Sequence, residues 1–475
     1  MTTNSQFESP SPKLLPSAQV PSGDGLPDDR FPPTDLRQPD AEILAPRRPE
    51  SLADSGLTVG QLADLCIKLL YLNGGFSGHD LAAELKLPFS LTGEALRFLK
   101  DQRCVEVVAG DVVGPISQRF VLTELGRLRA RDVFERCRYV GPAPVPLSDY
   151  VKQCRLQTVI GVECSLPALR RCFQGLVLRD GLLEELGPAV CSGRSIFLHG
   201  PPGNGKTVIA RRLADYLTSY GGEIYVPYAL AADESIITLF DPSLHRTRNA
   251  PGDATPPEVQ QTDPAARVDQ SDIDRRWRRI HRPVIVTAGE LTLDMLDLRF
   301  HPASGYYSAP LHIKANGGVF LIDDFGRQLA RPEELLNRWI LPLEERIDFL
   351  TLTTGKKIAV PFEQLTVFST NLQPRSLVDD AFLRRIRHKI CIDSPTREAF
   401  ARILEGCCRD HAADFSPDAV DYLFSQHYNR QRLPRSSDPR DLLEIASSIC
   451  RFRGQTVSLS EPVLAEAARR LFCEV

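Results

Sequence analysis

The residues with the clearest chemistry lie at 195–207, where the sequence SIFLHGPPGNGKT joins an apolar run to a glycine-rich loop. The loop fits the pattern G-x-x-x-x-G-K-S/T, in which glycines let backbone N–H groups point at phosphate oxygens. The lysine of this pattern reaches the terminal phosphates, and the hydroxyl takes a place on Mg²⁺. The sequence therefore predicts a phosphate-binding loop made of Gly200, Pro201, Pro202, Gly203, Asn204, Gly205, Lys206 and Thr207.

A second candidate group is a pair of carboxylates at the end of the run GGVFLIDD, residues 317–324. Acidic side chains at the carboxyl end of a buried parallel strand lie where α/β sheets bind ligands. We predict that Asp323 holds Mg²⁺ and that Asp324 orients or activates the attacking water. Two carboxylates can also simply cap a strand, but the phosphate-binding loop upstream favours the metal and catalytic roles.

These side chains need an open parallel sheet to bring them to one edge. Residues 196–198 are typical of a buried strand, and apolar residues recur with helical spacing after Thr207. From residue 195 onward, strand and helix patterns alternate, which predicts an α/β fold with a doubly wound parallel sheet and helices on both faces. The alternation is interrupted at about 230–313, and residues 241–272 have the composition of a mobile insertion.

Four motifs occur in an order that resembles the AAA+ ATPases. They are the loop GPPGNGKT (Walker A), the strand VFLIDDFG (Walker B), the strand end TVFSTN at 366–371 and the run DDAFLRRI at 379–386. The resemblance covers residues 150–475. It implies ATP and Mg²⁺ as cofactors, ATP hydrolysis as the activity, and a homo-oligomeric ring with a hexamer as the expected size.

The same resemblance assigns roles to residues beyond the loop. Asn371 resembles the sensor-1 amide that positions the hydrolytic water, and Arg384 and Arg385 match the arginine finger that completes a neighbouring subunit's site. Arg440 resembles the sensor-2 arginine of a C-terminal helical lid, on a helix for which Asp438 is the expected N-cap. A surface salt bridge is the alternative for the arginine pair.

Two features depart from the commonest AAA+ pattern. The acidic strand ends in Asp323-Asp324 instead of Asp-Glu, and the shorter carboxylate predicts slow or switch-like turnover because small positioning errors slow chemistry. Residues 346–362 are typical of a hairpin, with Lys356 and Lys357 at its turn. This hairpin is similar to the pre-sensor-1 insertion of one AAA+ branch. The two lysines would then face a ring pore, and a solvated turn is the alternative.

The long separation between Lys206 and Asp323 implies additional structure around the second helix of the core. Within it, Gly305-Tyr306-Tyr307 loosely resembles the aromatic pore loops with which protein unfoldases grip chains. Simple packing of these aromatic residues is the alternative.

Composition divides the chain into five parts. Residues 1–50 are rich in Pro, Ser, Asp and Gly, which predicts a disordered tail, and 51–140 have the helix and strand pattern of a winged-helix-like domain. The proline-rich stretch 141–148 is predicted to be a linker. The α/β nucleotide-binding domain follows at 149–394, with the insertion at about 230–313, and the helical lid occupies 395–475.

Two kinds of partner remain open at the level of sequence. The preferred hypothesis is a chaperone-like ATPase that remodels an unidentified protein partner. The alternative is a nucleic-acid-associated ATP switch, which would use the winged helix and a cluster in which Trp277 lies among Arg275, Arg276, Arg278, Arg279 and Arg282. The net charge of −4 argues against general polyanion binding.

The remaining features of the composition indicate no further functional site. The twelve cysteines contain no C-x-x-C pair, so neither a zinc site nor a disulfide framework is predicted. No apolar run is long enough to cross a membrane, and we expect a cytoplasmic protein.

Overall fold

The computed structural model describes residues 45–108, 116, 118–247, 272–373, 383–411, 413–429 and 432–472. Most of the predicted tail at 1–50, residues 248–271 of the predicted mobile insertion, and residues 379–382 of the DDAFLRRI run lie outside these ranges.

Five parallel strands form the central sheet: core strand 1, Ser195–His199; core strand 2, Val284–Thr287; core strand 3, Val319–Ile322; core strand 4, Leu365–Thr370; and core strand 5, His388–Cys391. Their order across the sheet is 2-3-4-1-5. Every residue of core strands 3 and 4 is buried, which explains why core strand 3, VFLI, is a continuous apolar run. The predicted doubly wound parallel sheet is confirmed.

Helices cover both faces of this sheet. Successive side chains of core strand 1 point to opposite faces. Ile196 and Leu198 join one hydrophobic cluster with Leu213, whereas Phe197 joins another with Trp339. The helices that contribute to the two clusters are Leu166–Cys172, Leu182–Ser192, Lys206–Tyr220, Leu311–Lys314, Pro332–Arg338 and Ile340–Glu345.

A second sheet occupies much of the predicted interruption at 230–313. Its strands, in spatial order, are Arg299–His301, Tyr306–Ser308, Ser235–Thr238, Ala229–Ala232 and Val145–Pro146. Because Val145–Pro146 lies in the predicted linker, part of that linker is a sheet strand. A separate antiparallel pair of strands joins Glu223–Pro227 to Trp277–His281. The helix Leu147–Leu156 packs beside this pair and beside the second sheet.

The predicted winged-helix-like module, residues 51–140, contains five helices and three short strands in its described part. The helices are Leu52–Ser55, Val59–Asn73, Gly78–Leu85, Phe89–Asp101 and Glu124–Arg136. An antiparallel sheet pairs Arg119–Leu122 with both Phe76–Ser77 and Val105–Val108. Thr58 and Gln61 form a capping box at the start of the long helix, which satisfies otherwise unpaired backbone N–H groups.

A buried arginine joins this module to the predicted linker and to the segment before the separate antiparallel pair. Arg276 is 2% exposed and forms an ion pair of 2.8 Å with Asp274. Its guanidinium also donates to the backbone oxygens of Ser55, at 2.8 Å, and Pro144, at 3.2 Å. One charged side chain therefore joins the N-terminal module, the predicted linker and the insertion.

The C-terminal part is helical, as predicted. Its helices are Arg397–Asp410, Pro417–Gln426, Asp438–Phe452 and Glu461–Phe472, and they enclose their own hydrophobic cluster. The prediction that Asp438 is an N-cap was wrong by one position, because the cap is Ser437. The buried Asp438 carboxylate instead accepts hydrogen bonds from the Arg435 N–H and the Tyr428 hydroxyl, both at 2.9 Å.

The predicted hairpin is present as Ile347–Thr351 paired with Lys357–Pro361. Its turn is tied to the second sheet, since Lys356 lies 2.5 Å from Asp233 and the Tyr307 hydroxyl lies 2.6 Å from Thr353 Oγ1. Tyr307 is 3% exposed, and Tyr306 packs edge-on against Tyr139. The aromatic pore-loop interpretation of Gly305-Tyr306-Tyr307 is therefore wrong, because Tyr307 is buried and the half-buried Tyr306 packs against Tyr139.

Acidification is expected to destabilise the hairpin base, where the buried His312 lies 2.7 Å from Asp348 and Arg338 binds the same carboxylate. Burial lowers the pKa of His312 and outweighs the opposing charge of Asp348. The unfolded chain therefore takes up this proton more readily, and stability is lost as the pH falls below about 6.5. Burial alone would raise the pKa of Asp348, but His312 and Arg338 lower it, which adds a loss of stability at still lower pH.

A His312→Gln variant tests this expectation. Its free energy of unfolding in urea should change less than that of the parent between about pH 7 and pH 5, because the titrating imidazole is gone. Equal pH dependence in the two proteins would contradict the assignment.

Candidate functional site

The phosphate-binding loop lies between core strand 1 and the helix Lys206–Tyr220, as predicted. Gly200 has a φ of +140°, and a Cβ there would come within 2.2 Å of the Ile392 backbone oxygen. Gly205 has a φ of +81° and is the N-cap of the helix. Glycine is therefore required for the close approach at Gly200 and for the left-handed turn at Gly205. The loop leads into a helix N-terminus, which favours anions.

Lys206 folds back over its own loop. It is 5% exposed, and its Nζ donates to the backbone oxygens of Gly200, at 3.0 Å, and Pro201, at 2.7 Å. Burial lowers the pKa of Lys206, whereas the charges of Asp324 and Asp323 oppose that shift. The ammonium group is thus held at the loop by neutral carbonyls and nearby carboxylates.

The loop and the end of core strand 3 meet at Thr207. Its Oγ1 lies 2.9 Å from both carboxylate oxygens of Asp323. A hydroxyl and a carboxylate are the hard oxygen donors that Mg²⁺ prefers, and Mg²⁺ commonly completes its shell with water and phosphate oxygens. The pair Thr207 and Asp323 therefore fits a magnesium ion bound together with a phosphate. Among the described residues, no group of three or more His, Cys, Asp or Glu side chains forms a metal site.

Asp324 and Asn371 face each other across core strands 3 and 4. The Asn371 amide nitrogen donates to Asp324 Oδ1 at 2.6 Å. Asp324 is exposed and has a φ of +49°, a left-handed conformation that non-glycine residues seldom adopt but Asn and Asp tolerate best. This backbone gives a physical reason for aspartate, instead of glutamate, at the end of the acidic strand.

Arg384 and Arg385 lie at the opposite edge of the sheet from Lys206. The Ser195 hydroxyl, at the start of core strand 1, donates to the Arg385 backbone oxygen at 3.5 Å. Five strand residues, about 17 Å, separate that edge from the loop. An open pocket of about 380 Å³ at this edge is lined by Arg194, Leu343, Glu344, Arg384, Arg385 and Arg387. Arg385 pairs with Glu344 at 2.8 Å, so the alternative of a salt bridge applies to it.

Comparisons with known proteins agree with the motif-based resemblance. Over 77 residues the chain is 39% identical to the vesicular-fusion protein SEC18 of Candida albicans, a match that covers 15% of this chain and 9% of that protein. It is 33% identical over 87 residues to sec18 of Schizosaccharomyces pombe, covering 17% and 11%. The match spans about a tenth of each relative's length. Three of the predicted motifs lie at the carboxyl edge of a sheet with strand order 2-3-4-1-5, and this arrangement, with the short matches to these relatives, supports the resemblance to the AAA+ ATPases.

Two further comparisons describe what the chain is similar to but indicate no function for it. Residues 396–470, which span the helical lid, match a family described as a domain of unknown function, DUF8689. The solved structures with similarity include the Thermotoga maritima RuvB Holliday junction branch migration motor, with a TM-score of 0.30, 13% identity and coverage of 58% of this chain and 62% of that chain. The FIGL-1 AAA domain in complex with ADP has a TM-score of 0.31 and 16% identity, with coverage of 66% and 82%. At such scores the structural likeness carries no argument.

The C-terminal helical part contacts the predicted phosphate-binding loop through residues for which the sequence predicted no such contact. The Ser436 N–H donates to Asn204 Oδ1 at 3.0 Å, and the Ser437 N–H donates to the Gly203 backbone oxygen at 2.9 Å. Arg440, the predicted sensor-2 residue, instead pairs with Asp441 and Glu444 on its own helix. The contact is made by backbone N–H groups, which no residue pattern specifies.

The basic cluster around Trp277 does not form one cationic surface. Arg276 and Arg282 are 2% and 7% exposed, and Arg282 donates to the backbone oxygens of Gly221, Gln157 and Gly317. The segment Trp277–His281 is a strand. Of the other arginines, Arg279 pairs with Glu223 at 2.5 Å. The charge-cluster version of nucleic-acid binding therefore loses its main support.

None of the helices in the described ranges is long and apolar enough to cross a membrane.

Proposed function

We propose that this AAA+ protein binds Mg-ATP at the phosphate loop, hydrolyses it in a homo-oligomeric ring, and uses the cycle to remodel a protein partner. The observation that carries the proposal is the convergence of Thr207, Asp323, Asp324 and Asn371 on the edge of the sheet beside Lys206. Each of these groups suits one task in phosphoryl transfer, and together they resemble the arrangement that such transfer needs.

The loop and its lysine bind the phosphates. The backbone N–H groups at the helix N-terminus favour the anion, and Lys206 exchanges its carbonyl acceptors for phosphate oxygens. Thr207 and Asp323 would hold the metal, which would supply positive charge to the phosphates. Ser436 and Ser437 bring the lid against the same loop, so nucleotide binding and lid position are coupled in this proposal.

Asp324 accepts a proton from, or orients, the attacking water. Its carboxylate accepts a hydrogen bond from the Asn371 amide. An amide donates equally well to a phosphate oxygen and accepts from water through its carbonyl. Asn371 therefore releases Asp324 when it turns to the γ-phosphate, and this exchange ties water activation to the presence of ATP.

A second copy of the chain supplies the arginine. The length of core strand 1 separates Arg384 and Arg385 from Lys206 of the same chain, which supports a trans role in a head-to-tail ring. A guanidinium at this place stabilises charge on the transferred phosphoryl group. We propose a hexamer as the size of the ring.

The contacts of the hairpin, second sheet and N-terminal module support a mechanical output. Lys356 joins the hairpin to Asp233 of the second sheet's turn, and Arg276, which precedes the separate antiparallel pair, binds both Ser55 of the module and Pro144 of the predicted linker. A movement at core strands 3 and 4 would therefore carry these parts together. The likeness to a vesicular-fusion protein supports a protein as the partner class.

An Asp324→Asn variant is expected to keep ATP affinity within about threefold and to lose turnover by 100-fold or more, roughly the size of a lost catalytic base. Asparagine tolerates the left-handed backbone at this position, so the fold is preserved. Nucleotide titration measures the affinity, and phosphate release measures the turnover. Turnover equal to that of the parent would contradict the assignment of Asp324.

The same variant tests the partner proposal. Held in the ATP-bound state, Asp324→Asn should retain the proteins that the assembly acts on, whereas Lys206→Ala should not. Enrichment of the same proteins on both variants, or of none on Asp324→Asn, would count against remodelling.

A further inference from the structure

The loop that follows core strand 3 is held by Gln328. The Gln328 amide nitrogen donates to the backbone oxygens of Asp323, at 3.0 Å, and Asp324, at 3.1 Å. Its amide oxygen accepts from the Gly326 N–H at 2.7 Å. One side chain thus makes three hydrogen bonds to the backbone that carries both acidic residues.

Asp324 needs such support because its backbone is strained. A non-glycine residue at a φ of +49° is disfavoured by about 1 kcal/mol. Such conformations persist when surrounding contacts over-determine them. The Gln328 amide binds the carbonyls on both sides of the Asp324 N–Cα–C unit, so it holds the torsions that direct the Asp324 carboxylate.

The other side of Asp324 is anchored independently. The Phe325 N–H donates to the Ser369 backbone oxygen at 2.7 Å, and Thr370 Oγ1 donates to the Phe325 backbone oxygen at 2.6 Å. Phe325 is 1% exposed and packs among Phe197 and Phe368. Because Phe325 is fixed to core strand 4, the backbone torsions of the loop that can still change are those of Asp324 and Gly326. Gln328 binds the backbone of both residues.

We propose that Gln328 is a positioning residue that aims the Asp324 carboxylate at the attacking water. The proposal rests on the proposed ATPase function and makes Gln328 a determinant of its rate. Gln328 makes its three bonds to the loop backbone and acts through Asp324. Its loss is expected to slow the chemical step while leaving the phosphate loop and Thr207 unchanged.

Two variants test this role in the full-length chain. Gln328→Met keeps the length of the side chain and removes all three hydrogen bonds, and Gln328→Glu keeps the acceptor for Gly326 but faces two carbonyls with a carboxylate. Both are expected to lower kcat about tenfold to a hundredfold, since misplacement of a catalytic group by about 1 Å has effects of this size. The dissociation constant for ATP should stay within about twofold, because the phosphate-binding groups are untouched.

Leu329→Gln is the matched control, since Leu329 is 77% exposed beside Gln328 and its change should leave kcat unchanged. Parent-like kcat in Gln328→Met, or parallel losses of ATP affinity and melting temperature that account for the loss of kcat, would overturn the positioning role alone. Absence of turnover in the parent chain under the same conditions would overturn the proposed ATPase function and the role of Gln328 in it.

Discussion

Replacing Lys206 by alanine is expected to weaken ATP binding by at least about 100-fold, because the variant loses the buried ammonium that lies over the loop. Lys206 donates two hydrogen bonds to backbone oxygens of the loop and, in the proposed complex, would donate to phosphate oxygens. Hydrogen bonds to charged groups contribute about 1.5–3 kcal/mol each, so two of them correspond to 100-fold or more. Titration with a fluorescent ATP analogue, or calorimetry with ATP and Mg²⁺, measures the change.

Lys356→Ala is the matched control for this experiment. It also removes one lysine charge, but its partner is Asp233 at the hairpin turn. ATP affinity within about threefold of the parent in Lys206→Ala, with a circular dichroism spectrum that shows a folded chain, would show that the loop does not bind phosphate through this lysine.

The sheet and the first three motifs could be predicted from sequence because each is a local pattern. Core strand 3 is buried throughout, so its composition alone indicates a strand, and Asp323 follows from its end. The glycines at 200 and 205 are demanded by backbone geometry at those positions. Patterns of this kind depend only on residues that are close in the sequence, so they can be recognised without knowledge of the fold.

The features that sequence reasoning missed depend on contacts between distant parts of the chain. In the sequence, Arg276 and Arg282 resemble members of a cationic surface. In the fold each is buried, and its guanidinium donates hydrogen bonds to backbone oxygens of separate elements. In the sequence, Tyr307 resembles an aromatic pore-loop residue. In the fold its hydroxyl forms a hydrogen bond with the hairpin residue Thr353. The lid contact at Ser436 uses a main-chain N–H, which has no sequence signature.

The left-handed backbone at Asp324 sharpens the prediction of slow or switch-like turnover. From the sequence, the shorter carboxylate is only a departure from Asp-Glu. In the fold it is the residue type that tolerates this φ, and its carboxylate is already bound by Asn371 at 2.6 Å. We therefore expect the rate of turnover to depend on release of Asp324 from Asn371 as well as on the reach of its carboxylate, and slow turnover stays a prediction.

Mixing two inactive variants is expected to restore ATP hydrolysis if the arginine acts in trans. Arg384→Ala keeps an intact loop but lacks the finger, whereas Asp324→Asn binds ATP and carries the arginine but lacks the catalytic carboxylate. Loss of an arginine finger lowers kcat by about 10³-fold or more. In a ring assembled at random from equal amounts, about a quarter of the interfaces combine an intact site with an intact arginine, so about a quarter of the parental rate should return.

The choice between the two arginines follows from their surroundings. Arg385 is 23% exposed and pairs with Glu344, whereas Arg384 is exposed at the edge of the sheet. Arg384→Ala should therefore lower kcat more than Arg385→Ala does, and Arg385→Ala mixed with Asp324→Asn should gain less than the Arg384→Ala mixture. Phosphate release from the mixtures, compared with each variant alone at the same total concentration, measures the gain. A rate that stays at the average of the two variants would place the arginines outside the neighbour's site, because an intact loop and an intact Arg384 would then have met without effect.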